Sequence, residues 1–298
     1  MTCPLTTALI IPTLNAEGHF TRLLPAIKRL EPPPDEIMII DSSSNDSTVE
    51  LARAAGCRAV VIERKEFGHG YARNLASTLV CSDILMYMTQ DAIPADKNLV
   101  KEVLAAFADT TIAHVFVRQT PHDDATPSAA FSRHFNYPAH SYTRSLDDVM
   151  HLGLRAFFTS NSCAAYRREV FEKVGRFPEN IPVSEDTMVA ARMLNTGYGL
   201  KYIASTHVQH SHNYSLSQEF KRYFDIGVSH QLSPWYLSMA PNVGSEGRRY
   251  VKEETACFIK RRLWAQIASA IIRNALRLTA YRLGRHSNLL PLPIKKRL

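Results

Sequence analysis

The 298-residue sequence is notable first for what it lacks. No stretch reaches the roughly 18 uninterrupted apolar residues of a membrane-spanning helix. The opening "MTCPLTTALIIPTLNAEGHF" has neither the basic start nor the long apolar core and cleavage site of a secretory leader. A cytosolic chain without a spanning helix is therefore expected. Cysteine is sparse: Cys3, Cys57, Cys81, Cys163 and Cys257 are odd in number and form no CxxC pair. That argues against a disulfide framework or a zinc knuckle and leaves them as small core residues. The first loop lacks GxGxxG, and neither GxxxxGKS/T nor GxSxG occurs anywhere, so dinucleotide-binding, P-loop and serine-hydrolase readings lose their support. Repeats and low-complexity segments are missing as well.

What is present fits a soluble globular protein, 45% hydrophobic and 21% charged. The formal net charge is +7, with much of the excess after Arg248, where only Glu253 and Glu254 oppose the Lys and Arg residues. An anionic partner is implied: a nucleotide, a phosphorylated lipid or a membrane face. Along the first half, short apolar runs alternate with helical patterns. "TTALIIPTLN", "DEIMIIDSSSNDST", "RAVVIER" and "DILMYMTQD" read as strands; "HFTRLLPAIKRL", with Pro25 as a candidate interruption, "STVELARAAG", "YARNLASTLV" and "NLVKEVLAAFAD" read as helices. Such alternation predicts an α/β fold, a mostly parallel Rossmann-like sheet flanked by helices. "KYIASTHVQHSH" reads as a last strand, and the chain beyond Tyr214 as helical. Ligands of open parallel sheets bind beyond the carboxyl ends of the strands. Asn15, Asp41 and Asp91 sit at such ends, so a bound nucleotide would be held by carboxylates, a metal and scattered basic groups.

The succession "IIPTLN", "IIDSSSNDST", "GHGYARNLA", "TQDAIP", "SNSCAAYRREVFEKVGRF", "SEDTMVAARM" and "VQHSHNYSLSQEFKRYFDIG" resembles glycosyltransferase family 2, inverting enzymes of the GT-A fold, and within it the bacterial rhamnosyltransferases. The shared motifs span Leu9 to Gly227, and "GRHSNLLPLPIKKRL" is similar to the tail of the rhamnosyltransferase group. The resemblance implies a catalytic domain over 1–227, with a nucleotide-sugar half over about 1–112 and an acceptor half over 113–227. A basic helical extension over 228–298 follows. Relatives often carry a DxD-like motif; here Gln90 precedes and Ala92 follows Asp91, so Asp91 alone from that loop is expected to meet Mg²⁺ or Mn²⁺. One or two carboxylates suffice for such an ion when phosphates complete its shell. His207, His210 and His212 are spaced in a way that first suggests zinc. By resemblance, one late histidine, His212 in preference to His210, joins Asp91 on the metal.

The same resemblance assigns Asp186 of "SEDTM" as the base and Glu185 as the group that positions the acceptor. Both lie at a helix start, where the dipole favours negative charge. Pro12, Thr13, Asn15 and Asp41 are expected to line the nucleotide pocket, with Asp41 accepting from the imide N–H of the base. Asp46 shapes the turn or caps the next helix. Arg73 would reach the diphosphate or brace the Asp91 loop, flanked by Lys65 and His69, with Gly68 and Gly70 letting the loop close. Asn161 and Ser162 would border the sugar. The implied reaction moves L-rhamnose from a dTDP-sugar donor to a saccharide or polyprenyl-diphosphate-linked acceptor in cell-surface polysaccharide assembly. A UDP or GDP hexose donor is the alternative.

"FIKRRLWAQIASAIIRNALRLTAYRL" reads as a basic amphipathic helix suited to an anionic bilayer at the inner face of the cell membrane. Packing against its own domain or in a homodimer is the other use of such a face. A nucleotidyltransferase is disfavoured because a glycine- and arginine-rich phosphate loop is missing. A nucleic-acid-binding module leaves Asp41, Asp91 and the Glu185–Asp186 pair unexplained, and no nucleic-acid partner is expected.

Overall fold

A computed structural model describes residues 4–241 and 245–289. The first half runs β1 (Thr7–Thr13), α1 (Glu17–Lys28), β2 (Glu36–Asp41), α2 (Thr48–Ala54), β3 (Arg58–Val61), α3 (His69–Thr78) and β4 (Ile84–Met88). Next come β5 (Ile93–Pro94), α4 (Leu99–Ala106), β6 (Ile112–Thr120), α5 (Pro127–Asn136), β7 (Tyr142–Arg144) and α6 (Val149–Leu152). They are followed by β8 (Cys163–Arg167), α7 (Arg168–Lys173), α8 (Glu185–Asn195) and β9 (Gly199–Gln209). The chain then folds into α9 (Leu216–Leu232), α10 (Pro234–Ser238), α11 (Ser245–Lys260) and α12 (Trp264–Arg285).

The strands form one sheet in the order β3-β2-β1-β4-β8-β6-β9-β5, with β7 pairing to β9. Its first four positions are parallel, as the alternating pattern predicts. Beyond β4 the sheet is mixed: β8 runs antiparallel to both β4 and β6, and β6 is parallel to β9. The carboxyl ends of β1, β2, β4, β6 and β9 therefore share one edge with the amino end of β8. Both faces are covered, which is why the strands read as near-continuous apolar runs. Leu9 and Ile11 pack with Ile39, Met86 and Val115 on one face; Ile10 packs with Met38, Ile40, Tyr87 and Phe116 on the other.

Some expectations change in three dimensions. Helix α1 continues through Pro25, an exposed position where the missing N–H and the ring face water. Cys57 and Cys163 are core residues, but Cys81 is exposed and Cys257 half-buried; Cys3 lies outside the described residues. The basic tail is two helices: α11 ends at Lys260, Arg262 takes a φ of +57°, and α12 starts at Trp264. Position 227, the expected domain boundary, falls within α9. The end of the tail motif, 290–298, lies outside the described residues.

Helix α12 packs on α9 at a crossing of two glycines. A Cβ on Gly227 would stand 2.3 Å from the Tyr281 carbonyl oxygen, and one on Gly284 would stand 2.1 Å from that of Phe224. Only side-chain-free positions permit this approach. Arg273 and Arg277 of α12 reinforce the contact by pairing with the buried Glu219 of α9 at 3.1 and 2.7 Å. Gly284→Ala is expected to destabilise the chain by about 1–3 kcal/mol through overpacking, read as a lowered midpoint of thermal unfolding. An unchanged midpoint would show that the helices are not locked there.

Candidate active site

The smallest strand has the largest consequence for the site. β5 follows Asp91 by two residues and pairs with β9, Ile93 opposite Gln209 and Pro94 opposite Val208. That register brings the Asp91 loop against the residues that follow β9. The His210 N–H then bonds the Thr120 carbonyl at 2.8 Å, extending the β6 partnership by one step. Asp91, His210 and His212 consequently converge, each offering a ligand atom within 4.8 Å of the others. Asp91 Oδ2 lies 3.4 Å from His210 Nε2 and 3.6 Å from His212 Nδ1. β9 stops at Gln209, so both histidines belong to the loop beyond it rather than to a shared strand face. His207 lies within the strand, opposite Arg118, and is not among the convergent residues.

Burial lowers the His210 pKa, and burial together with neighbouring His210 brings His212 to about 4. At neutral pH the site is one carboxylate with two neutral imidazoles. This N₂O donor set fits a divalent cation that leaves other positions open to phosphate oxygens. The His122 ring holds the Asp91 carbonyl at 3.2 Å, and His212 stacks on Tyr214 at 4.8 Å.

A second acidic group lies at the start of α8, introduced by Ser184 at a φ of +72°. Its two carboxylates face different surroundings. Glu185 is buried and takes hydrogen bonds from Arg73 at 2.9 Å and Asn161 at 3.2 Å. Although burial favours its neutral form, Arg73 holds its pKa below the ordinary value. Asp186 accepts from the Asn161 N–H at 3.1 Å and the Thr187 N–H at 2.8 Å. Burial, then the adjacent Glu185 carboxylate, raises Asp186 to about 6. Neighbouring carboxylates with pKa values pushed apart are the arrangement from which acid–base roles are read. Asn161 sits between them, its side-chain Oδ1 accepting from the Tyr166 hydroxyl at 2.8 Å. Ser162 connects this group to the Asp91 loop, its carbonyl taking the Thr89 N–H at 3.4 Å.

The first two loops are bound to each other. Gln90 clasps Leu14 twice, accepting from its N–H at 2.8 Å and donating to its carbonyl at 3.1 Å. Asp41 is fully buried and accepts from Thr13 Oγ1 at 2.8 Å, Ser44 Oγ at 2.6 Å and the Ser44 N–H at 2.8 Å. It braces the loop from within rather than presenting its carboxylate at the surface. Asn15, exposed and at a φ of +50°, accepts from the Asn45 N–H beside half-buried Pro12. Asp46 shapes the turn, accepting from the N–H groups of Thr48 and Glu17, both at 3.1 Å, while Ser47 takes the N-cap position of α2.

Other placements differ from expectation. Arg73 is directed at Glu185 and the His69 carbonyl, not at the Asp91 loop. Glu185, expected to position an acceptor, is turned inward by that same pair. Lys65 pairs with Glu63 in solvent. Gly70 serves a close approach, since a Cβ there would lie 2.2 Å from the Pro178 carbonyl. Gln119, His122, Arg133 and Tyr214 escaped sequence reasoning; the first three fall in none of the motifs, and Tyr214 lies in the histidine motif without drawing notice.

A family model described as "Glycosyl transferase family 2" matches residues 8–175. Over 287 residues the sequence is 42% identical to the O-antigen chain rhamnosyltransferase RfbN of Salmonella typhimurium, covering 95% of this chain and 91% of that protein. It is likewise 42% identical to WbaN of Salmonella anatum, with 95% and 90% covered. Among solved structures, the mannosyltransferase PcManGT from Pyrobaculum calidifontis, in complex with GDP-Man and Mn2+, aligns at a TM-score of 0.62 and 17% identity, covering 93% of this chain and 87% of that one. The chain belongs to glycosyltransferase family 2, and it is a sugar-transferring enzyme of the GT-A fold.

Were Asp186 to act as a base, which works only when ionised, its pKa raised to about 6 would place the acidic limb of the rate profile near that pH. Glu185→Gln removes the adjacent negative charge and should move the limb to lower pH. The pH dependence of kcat/KM, followed by nucleotide release, checks both; a limb that stays in place in the variant would dissociate Glu185 from the titration.

Proposed function

We propose that the chain transfers L-rhamnose from dTDP-L-rhamnose to a saccharide or polyprenyl-diphosphate-linked saccharide in the assembly of a cell-surface polysaccharide, with inversion at the anomeric carbon. The observation that carries the chemistry is the pair of acidic groups at one sheet edge, Asp91 with two neutral imidazoles and Asp186 with a raised pKa. Support for the sugar comes from the 42% identity to two proteins named O-antigen chain rhamnosyltransferases.

In the reaction the acceptor oxygen forms a bond to the anomeric carbon as the bond to the diphosphate oxygen breaks. Asp186 takes the hydroxyl proton, positioned by the Asn161 and Thr187 N–H groups. Glu185, neutralised by Arg73, stays ionised and keeps the Asp186 proton affinity high. Pro12, Thr13 and Asn15 wall the nucleotide pocket, whose loop Asp41 and Gln90 hold in shape; Arg73 and Ser162 support the floor from below. Asp91, His210 and His212 would hold a divalent cation, which would supply charge neutralisation for the departing diphosphate. Two imidazole donors favour Mn²⁺ over Mg²⁺, which prefers oxygen ligands.

We further propose that α12 rests on an anionic membrane surface. Among the described residues, no helix is long and apolar enough to cross a membrane. The outward stripe of α12 is nevertheless apolar, with Trp264, Ile271, Ile272 and Leu278 each more than half exposed. The helix contains no acidic residue, and exposed Arg261, Arg262 and Arg282 lie at its ends. Such a face suits peripheral attachment.

Three experiments test these readings. With a panel of dTDP-, UDP- and GDP-sugars, nucleotide release should be fastest with dTDP-L-rhamnose, and a preference for a UDP or GDP hexose would replace the rhamnose assignment. Asp186→Asn should lower kcat by roughly 10²- to 10⁴-fold while donor affinity by calorimetry stays near that of the parent. For the membrane, flotation with anionic liposomes should carry the chain upward and Ile271→Asp should weaken it. Recovery of the parent wholly in the soluble fraction removes the membrane proposal.

A further inference from the structure

Gln119, near the end of β6, is buried at 2% exposure. Its side-chain oxygen lies 2.8 Å from His210 Nδ1 and 2.5 Å from Arg133 Nη1. A guanidinium can only donate, so the amide atom facing Arg133 is the oxygen; the flipped amide would set NH₂ against the cation and forfeit that charge-assisted bond. That orientation leaves Gln119 Nε2 buried with no hydrogen-bond partner among the described residues, as if the oxygen's placement were the one that matters. An amide oxygen can only accept. Nδ1 of His210 must then carry the hydrogen. The competing arrangement, in which Nδ1 accepts from Arg133, has a contact of 3.4 Å and would oppose two acceptors at 2.8 Å. In the neutral ring, Nε2 is consequently a bare lone pair, 3.4 Å from Asp91 Oδ2. Two acceptors that face each other call for a cation between them.

We propose that Gln119, fixed by Arg133, is a positioning residue that holds His210 in its Nδ1–H tautomer and so presents Nε2 to the metal beside Asp91. The inference rests on the metal reading of Asp91, His210 and His212 given above. A ligating histidine whose other ring nitrogen donates to an oxygen acceptor is both oriented and made more basic, and loss of such a partner commonly weakens metal affinity by about 10- to 100-fold. Arg133 comes from the last turn of α5, its guanidinium over the Tyr137 ring at 5.5 Å. This helix thereby contributes to a centre that none of its residues touches directly through a ligand atom.

The test uses the full chain with Mn²⁺ alone, binding being followed by electron paramagnetic resonance, and ¹⁵N-histidine spectra of the metal-free protein assigned with His210→Gln. In the parent, Nδ1 of His210 should give the protonated-type ¹⁵N shift and Nε2 the lone-pair type. Gln119→Leu should lose that preference and bind Mn²⁺ about 10- to 100-fold more weakly, whereas Gln119→Glu, which keeps an acceptor oxygen between Arg133 and His210, should retain both properties. A parent ring protonated at Nε2, or a folded Gln119→Leu that binds Mn²⁺ as the parent does, overturns the inference. Asp91→Asn separates the two layers: a parent that binds no Mn²⁺, or an Asp91→Asn chain that binds it equally well, counts against the metal reading, and the metal-free spectra still decide the tautomer.

Discussion

The site depends on a pairing only two residues long. β5 joins β9 at Ile93–Gln209 and Pro94–Val208, and this register helps set Asp91 beside His210. Strand pairing is intolerant of small errors, because a shift by one residue turns each side chain to the opposite face. The loop ahead of β5 is short, with Ala92 bonding back to Thr89 at 3.1 Å, so Asp91 has little freedom to compensate. A carboxylate from the parallel half of the sheet and imidazoles from the mixed half therefore meet by backbone geometry, before any ion contributes. Preorganisation of this kind removes part of the cost of assembling a charged site during the reaction.

The Glu185–Asp186 pair shows how one buried cation can differentiate adjacent acids. Two neighbouring carboxylates cannot both ionise easily in a dry environment. Arg73, buried at 3% exposure, stabilises the charge on Glu185 and leaves Asp186 with the raised proton affinity. Asn161 joins both through different atoms, its side chain to Glu185 and its backbone to Asp186. The surroundings rather than the residue types assign the two proton affinities.

Much of the fold was legible in the sequence because the first half obeys a simple rhythm. Its strands are fully buried and read as apolar runs, while α2, α3 and α4 follow helical spacing with recognisable ends. The mixed half was harder: β5 has two residues and β7 three, too short for any periodicity. The acids of the site were legible through their motifs, Asp91 and the "SED" segment in particular. Their partners were not. Arg73 and Glu185 are 112 positions apart, and Gln119 and His210 are 91 apart, separations that sheet topology closes and local pattern cannot indicate. Asp41 was visible as a strand-end acid, but its inward role emerges only from the hydroxyls of Thr13 and Ser44 that surround it.

The glycine crossing of α9 and α12 has a mechanical consequence. Backbones that touch without intervening side chains cannot roll past one another, so the outer stripe of α12 keeps a constant bearing relative to α9. The N-cap of α9, Ser215, follows His212 by three positions, and Arg273 of α12 grips the Tyr214 carbonyl at 2.9 Å. The tail thus acts as a keel: whatever plane its outer stripe lies against also fixes the compass direction in which the crevice opens.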